Sequence, residues 1–143
     1  MAQKSTIYNM YNDLVTAVRT VIEKKYIFLK DRPTNVNEES PMEKFVVIDL
    51  PVTISDYVIG NRKTYLTTSG VIYLFVQARS NSSLDVNSMG DFVDSIVDLF
   101  PINGKYVTAV NPVVRLSGSD GHGFQVAVVY FDLRSKWGAL SKK

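Results

Sequence analysis

The sequence predicts an α+β fold: a mixed, mostly antiparallel sheet of four to five strands with two helices packed on one face. Two amphipathic segments, one near the N-terminus and one at residues 83–100, have apolar residues at helical spacing. Between and after them lie apolar runs with the length and composition of strands. The predicted order is therefore α-β-β-β-α-β-β, which leaves both helices free to cover one sheet.

The composition fits a single domain over residues 1–143. A chain of this length buries roughly 68% of its unfolded surface, so it can fold alone. The absence of cysteine excludes disulfides, thiolate catalysis and cysteine-ligated metal sites. The net charge of +2 is smaller than a dedicated duplex-DNA binder normally carries. Neither a membrane span nor a signal peptide is predicted, and we expect a soluble intracellular protein.

Residues 5–25 predict the first helix, because apolar side chains recur at i, i+3, i+4 and i+7 along it. Ser5 or Thr6 can serve as its N-cap. The opposite face is polar and carries Asn9, Asn12, Asp13, Thr16, Arg19 and Thr20. The next residues, 26–29, form either a first strand or an extension of the helix.

The stretch 31–43 predicts a long polar loop, for which disorder and partner binding both stay open. After it, residues 45–50 form a nearly continuous apolar run, as in a strand buried on both faces. Pro51 interrupts that run, and the alternating residues up to 59 predict a half-exposed strand. One bent strand and two short strands are both compatible with this pattern.

Residues 60–70 predict a polar connection with some strand character, and 71–78 predict the clearest central strand. The second helix follows, with Ser83 as its expected cap and Pro101 as its stop. Its apolar stripe consists of Val86, Met89, Phe92, Val93, Ile96, Val97 and Phe100.

The last third predicts a hairpin. Its first strand, 105–116, contains Pro112, which indicates an edge position or a bulge. The second strand, 124–133, is apolar on both faces and should be central. The glycine-rich segment 118–123 between them permits the positive φ angles of a tight connection. Residues 135–143 form a basic C-terminal tail.

No motif in the chain predicts catalysis. His122 is the single histidine, so one chain cannot build a histidine metal cluster. As the base for a serine or threonine nucleophile, it would lack rigid positioning in a glycine-rich hairpin tip. The Asp120 and His122 pair is the only feature of the sequence on which an enzyme hypothesis can be based. We predict no catalytic, cofactor-binding or metal-binding residues, and no enzymatic activity.

Charged residues form separate acidic and basic sets. The acidic set lies at i, i+3 and i+7 on the second helix, and a solvated helix face is its simplest interpretation. Separate patches of opposite sign also suit head-to-tail association, because each can meet the other on a neighbouring copy. The candidate inter-subunit contacts are Asp91, Asp94, Asp98, Lys24, Lys25, Lys30, Arg32, Arg62 and Lys63.

A second hypothesis is a small nucleic-acid-binding or adaptor module without catalytic activity. Its motives are the basic residues and four aromatic residues on expected strands, which are weakly similar to a sheet-borne RNA platform. The glycine-aromatic signature of that module is missing, so a core position is favoured. These aromatics are Tyr73, Phe75, Tyr130 and Phe131.

The order helix, β region, long central strand, helix and terminal hairpin resembles the tail terminator and tail-completion family of tailed bacteriophages, together with related head-to-tail neck proteins. The resemblance covers about residues 5–134. It rests on the layout, length and hydrophobic pattern of the segments 45–50, 70–76, 84–100 and 124–133.

The resemblance implies a structural virion protein, assembled in the host cytoplasm, that forms a closed ring at the neck or the top of the tail. Six subunits are favoured, and twelve remain open. The implied neighbours are portal, connector or tail-tube proteins, with DNA passing through the lumen without specific binding. The near-neutral charge fits such passage. The long 31–43 loop and the weakly basic 60–70 connection depart from the family pattern and leave the position along the neck open.

Overall fold

The computed structural model of the protein describes residues 6–30, 43–50, 58–59, 62–63, 67–79 and 83–135. Except for residue 43, the predicted loop at 31–43 lies outside the described residues. So does the predicted basic tail beyond residue 135.

Within these residues the chain forms two α-helices, one 3₁₀-helix and eight strands. In chain order they are α1 (Thr6–Val18), the 3₁₀-helix (Lys24–Tyr26), β1 (Ile27–Leu29), β2 (Lys44–Asp49), β3 (Val58–Ile59), β4 (Arg62–Lys63), β5 (Thr67–Gln77), α2 (Val86–Val97), β6 (Ile102–Asn103), β7 (Val107–Ser119) and β8 (Phe124–Ser135).

Six strands form one mixed sheet in the order β1-β2-β5-β8-β7-β6, and β3 pairs with β4 in a separate antiparallel ladder. In the main sheet β1 runs parallel to β2, and every other neighbouring pair is antiparallel. The predicted α+β class is confirmed. Its six strands exceed the predicted four to five, because β1 and β6 contain three and two residues and are too short to produce a clear pattern.

Both helices pack on the same face of the sheet. Apolar side chains from α1 and α2 share one buried core with alternate residues of β2, β5, β7 and β8, as the predicted arrangement requires. We call this side the helix face. Its largest fully buried side chains include Met10, Leu14, Ile48, Ile72, Leu74, Met89, Phe92, Ile96, Phe131 and Leu133.

The opposite side of the sheet contains a second core, which we call the aromatic cluster. It consists of Phe45, Val47, Phe75, Phe124, Val126 and Val128 from the three central strands. The Phe45 ring stacks on Phe75 at 4.4 Å between ring centroids, and Phe124 meets it edge-on at 5.1 Å. The prediction that the run 45–50 is buried on both faces is therefore confirmed for the strand β2.

Both helices are shorter than predicted. The helix α1 ends at Val18 rather than at residue 25. There the Thr20 hydroxyl donates to the Ala17 carbonyl at 2.7 Å, and the backbone N–H groups of Thr20 and Val21 donate to carbonyls three residues back instead of four. Ile22 nevertheless enters the core, which explains why the apolar periodicity continues past the end of the helix.

The second helix begins and ends inside its predicted bounds. Its N-cap is Asp85 rather than Ser83, since the Asp85 carboxylate accepts the backbone N–H of Ser88. It ends at Val97, after which Leu99 and Phe100 donate to carbonyls three residues back and tighten the chain before Pro101.

The predicted irregularity at Pro112 is confirmed. The register of β7 against β8 shifts between Val110 and Val113, and Asn111 has a φ of 59° there. A second shift lies between Leu116 and Gly118. The strand β8 pairs with β5 on one side and β7 on the other, which confirms its predicted central position.

Candidate inter-subunit surfaces

The predicted acidic set forms one exposed surface on α2. Asp91 and Asp94 lie in the helix and Asp98 is its C-cap, and all three are exposed. The opposite side of α2 buries Met89, Phe92 and Ile96 against the sheet. These carboxylates therefore have no structural role in the core, and the surface they form is open to a partner.

The basic candidates are distributed around β1. Lys24 and Lys25 lie in the 3₁₀-helix just before this strand, and Lys30 follows it directly. Two of them have partners within the chain: the Lys25 ammonium lies 3.5 Å from the Glu23 carboxylate, and Lys30 lies 3.0 Å from Asp49.

Of the remaining basic candidates, Arg32 lies outside the described residues, and Arg62 and Lys63 form β4, of which the backbone is described. The structure therefore brings three of the six predicted basic residues together, at one edge of the main sheet.

A cleft of about 410 Å³ opens beside the N-terminus of α2. Lys44 and Arg79 line it together with acidic residues, among them Asp85 and Asp91. The Lys44 ammonium also lies 4.9 Å from the centroid of the Phe92 ring. The cleft has no signature in the sequence, because its lining comes from three separate segments that only the fold brings together.

The N-terminal cap of α2 makes a specific prediction about pH. The backbone N–H of Ser88 donates to Asp85 at 3.2 Å and its hydroxyl donates at 3.1 Å, and these bonds lower the pKa of the Asp85 carboxyl below its usual value. Because the folded-state pKa is depressed, the cap's stabilisation is present above the ordinary aspartate pKa and is lost as the pH falls through the lowered value.

We expect an NMR titration of the Asp85 carboxyl to show this lowered pKa, and Ser88→Ala to bring it part of the way back. Ser95→Ala is the matched control, since the Ser95 hydroxyl bonds the Asp91 carbonyl instead. An Asp85 pKa that is the same in wild type and Ser88→Ala would show that the hydroxyl contributes nothing to the cap.

The outer part of β7 exposes apolar side chains on both faces of the sheet. Val113 and Leu116 are 62% and 59% exposed, and Val114 and the neighbouring Tyr130 of β8 are also exposed. Val114 and Leu116 lie on the helix face, and Val113 and Tyr130 lie on the opposite face. In the sequence, Pro112 indicates an edge position or a bulge for this strand. The exposure of its side chains depends on how far β6 extends along β7, which the sequence does not reveal.

The tip of the β7–β8 hairpin uses Asp120 to close its turn. The carboxylate accepts the backbone N–H of His122 at 2.7 Å and that of Phe124 at 3.1 Å. Both Gly121 and Gly123 adopt positive φ there, as the glycine-rich pattern predicted. These contacts give the Asp120 carboxylate a structural role in the hairpin.

The four aromatics of the nucleic-acid hypothesis do not lie on one surface. Phe75 and Phe131 are buried, on opposite faces of the sheet. Tyr73 is half-buried beside the aromatic cluster, whereas Tyr130 is exposed. A stacking platform needs exposed rings side by side, and this arrangement does not provide it.

Metal-binding clusters and membrane-spanning helices are both absent from the described part of the chain. Its acidic and histidine side chains form no group of three or more that could hold a metal ion. Neither described helix has the length and apolar character needed to cross a bilayer.

Comparisons with known proteins add information about fold. No protein-family profile matches the chain, and no curated protein is significantly similar to it. Twelve chains of known structure match. One of them superposes with a TM-score of 0.58 over 92% of this chain and 94% of its own length, at 10% sequence identity. At this identity the similarity shows that the α+β architecture recurs in another protein over nearly its full length.

Proposed function

We propose that this protein is a structural component of a tailed-bacteriophage virion that assembles into a ring at the head-to-tail neck or the top of the tail. The observation that carries the proposal is the separation of unlike surfaces on one protomer. Asp91, Asp94 and Asp98 form an exposed acidic surface on α2, while Lys24, Lys25 and Lys30 surround β1.

Two unlike, complementary surfaces are what a cyclic assembly requires of each subunit. A head-to-tail interface joins a different patch from each partner, and it closes into a ring when its rotation divides a full turn. A single self-complementary patch would instead give a two-fold dimer. The layout of helices and strands, which resembles that of phage neck and tail-completion proteins, supports the same role.

The charge balance supports passage of DNA through such a ring rather than capture of DNA by it. A net charge of +2 is small, and the aromatic side chains are mostly used in the two cores. Tight non-specific binding depends on many lysine or arginine contacts to phosphates, with counterion release on binding. A ring through which DNA must move benefits from few such contacts.

Sedimentation across a concentration series, alone and with neck or tail-tube proteins, tests the proposal. We expect a discrete multimer, six subunits being favoured, whose association weakens as salt screens the exposed charges. The triple variant Asp91→Asn/Asp94→Asn/Asp98→Asn should associate about fivefold more weakly per interface and lose much of that salt dependence. Asp132→Asn on β8 is the single-charge control: Asp132 is exposed, it accepts the Asn111 side-chain amide at 2.9 Å, and an asparagine oxygen can still accept that bond, so association should stay as in wild type.

A strict monomer under every condition would contradict the ring. Titration of labelled single- and double-stranded oligonucleotides at low salt tests the alternative hypothesis, a nucleic-acid-binding module. Micromolar binding with a steep salt slope would favour the nucleic-acid-binding module over the virion ring.

A further inference from the structure

We infer that the β7 edge of one copy pairs antiparallel with the strand β1 of a second copy, so that the two sheets join edge to edge. The inference deepens the proposed function, on which it rests for the closure of the ring. The pairing itself can be tested whether or not a ring closes.

The first observation is that most of β7 has a partner on one side alone. The strand β6 pairs with Thr108 and Ala109, and from Val110 to Ser119 the described residues offer β7 no partner except β8. Such an edge presents a row of unpaired backbone N–H and C=O groups to any strand that approaches.

The second observation is that one segment of this edge is weakly protected. Edge strands are commonly defended by charged side chains, proline and β-bulges, and β7 has Pro112 and a register shift on either side of the segment 113–116. Here the segment 113–116 contains Arg115 as its one charged residue, beside the exposed apolar side chains of Val113, Val114 and Leu116. Exposed apolar groups on both faces of an open edge favour strand addition over solvation.

The third observation fixes the length of the pairing. The register shifts near Pro112 and Ser117 disturb β7 on either side and leave 113–116 as a regular segment between them. A short strand fits such a segment. The strand β1 has three residues and lies at the other edge of the same sheet, where β2 is its partner.

The side chains of β1 match this segment face by face. Ile27 and Leu29 pair with Val46 and Ile48 and therefore point to the helix face, where Leu29 is 47% exposed. Phe28 points to the opposite side and packs on the aromatic cluster. On β7, the helix-face residues are those paired with Ala127 and Val129, namely Leu116 and Val114.

Strand directions decide the orientation. The pairings make β1 parallel to β2 and β8, whereas β7 runs opposite to β8. A rotation about an axis parallel to the strands relates the two copies without changing these directions. The strand β1 of the next copy therefore runs antiparallel to β7, and the helix faces of the two sheets lie on the same side. The second copy is therefore the partner that both edges fit.

Face and direction together select one register. Leu29 lies opposite Val114 and Ile27 opposite Leu116, which joins apolar side chains on the helix face. Phe28 then lies opposite Arg115 on the other face, where a guanidinium can stack on the aromatic ring. Every contact of this register falls within the regular segment 113–116.

Cysteine cross-linking tests the register, because the native chain has no cysteine. Directly opposite strand residues have Cα atoms about 4.5–5.5 Å apart, within the range of a disulfide. In one chain, β1 and β7 are separated by four strand spacings of about 4.8 Å each across the sheet. Oxidation of a Leu29→Cys/Val114→Cys variant should therefore link different copies.

We expect the double variant to give a ladder of covalent multimers on a non-reducing gel, while each single variant stays monomeric. Leu116→Lys added to it should reduce the ladder at least about tenfold, since the buried ammonium would lack a partner. Val86→Lys is the control, because Val86 is 65% exposed on α2 and away from both edges.

The outcomes separate this inference from the proposed ring. Wild-type rings without a ladder would overturn the edge pairing and leave the ring standing. Dimers from Val114→Cys alone would also overturn it, since they show β7 pairing with β7. A ladder from a protein that never forms a closed multimer would support the edge pairing and count against the ring.

Discussion

Replacing Asp13 by alanine should lower the free energy of unfolding by about 3 kcal/mol. Asp13 lies on α1 and is only 8% exposed. Its carboxylate accepts the backbone N–H of Tyr106 at 2.6 Å and that of Val107 at 2.9 Å, at the turn between β6 and β7. The alanine variant would leave these two backbone donors without an acceptor in a region with little solvent. The desolvation penalty of unpaired donors is larger than the net stabilisation from a typical hydrogen bond.

The contact between Asp13 and the β6–β7 turn can also be tested from the turn, at Gly104. A Cβ at Gly104 would press directly on the Asp13 carboxylate, so Gly104→Ala should destabilise the same joint by overpacking. Asp13→Asn keeps the shape and one acceptor oxygen and should cost less than Asp13→Ala, because charge-assisted bonds are the stronger ones.

Urea denaturation followed by circular dichroism measures these effects. The double variant Asp13→Ala/Gly104→Ala should lose less stability than the two single losses added together, because Asp13→Ala removes the group that Gly104→Ala would crowd. Equal stability of wild type and Asp13→Ala would contradict the role of this carboxylate in joining α1 to the sheet.

Phe45→Ala should be still more costly, at about 4 kcal/mol. Phe45 is completely buried on β2, and its ring touches the rings of Phe28, Phe75 and Phe124. Removing it takes away both the transfer free energy of a large side chain and the aromatic contacts, and it leaves a cavity between rings that lie on three different strands.

Phe45→Leu separates these contributions. Leucine fills most of the volume but cannot stack on Phe75, so we expect a loss of about 1 kcal/mol. The same denaturation experiment compares the two variants. Similar losses for leucine and alanine would show that ring geometry, rather than filled volume, is what stabilises the cluster.

Much of the fold was predictable because the long elements have strong patterns. The helix α2 and the strands β5 and β8 each present enough residues for their periodicity or apolar run to be recognised. The irregularity at Pro112 follows from the missing backbone donor of proline. The edge strand β1 and the two-residue β6 were not predictable with the same clarity, because so few residues carry little pattern.

The exposure of polar residues was likewise predictable for some positions and not for others. Exposure of Asp91, Asp94 and Asp98 followed from helical geometry, since their positions lie opposite the apolar stripe. Asp13 belongs to the polar face of α1 by spacing but is covered by the β6–β7 turn. A helical period gives the direction of a side chain and cannot say what distant segment packs over it.

What the sequence by itself determined was the class of the fold, its two helices and its central strands, because each depends on residues close together in the chain. Tertiary structure alone decided that β1 lies at one edge of the sheet and that most of β7 lies beyond its short pairing with β6 near the other edge, with exposed apolar residues Leu29, Val113 and Leu116 at these edges. That outcome depends on strand order and on how far β6 extends along β7, and both arise from contacts between residues remote in sequence.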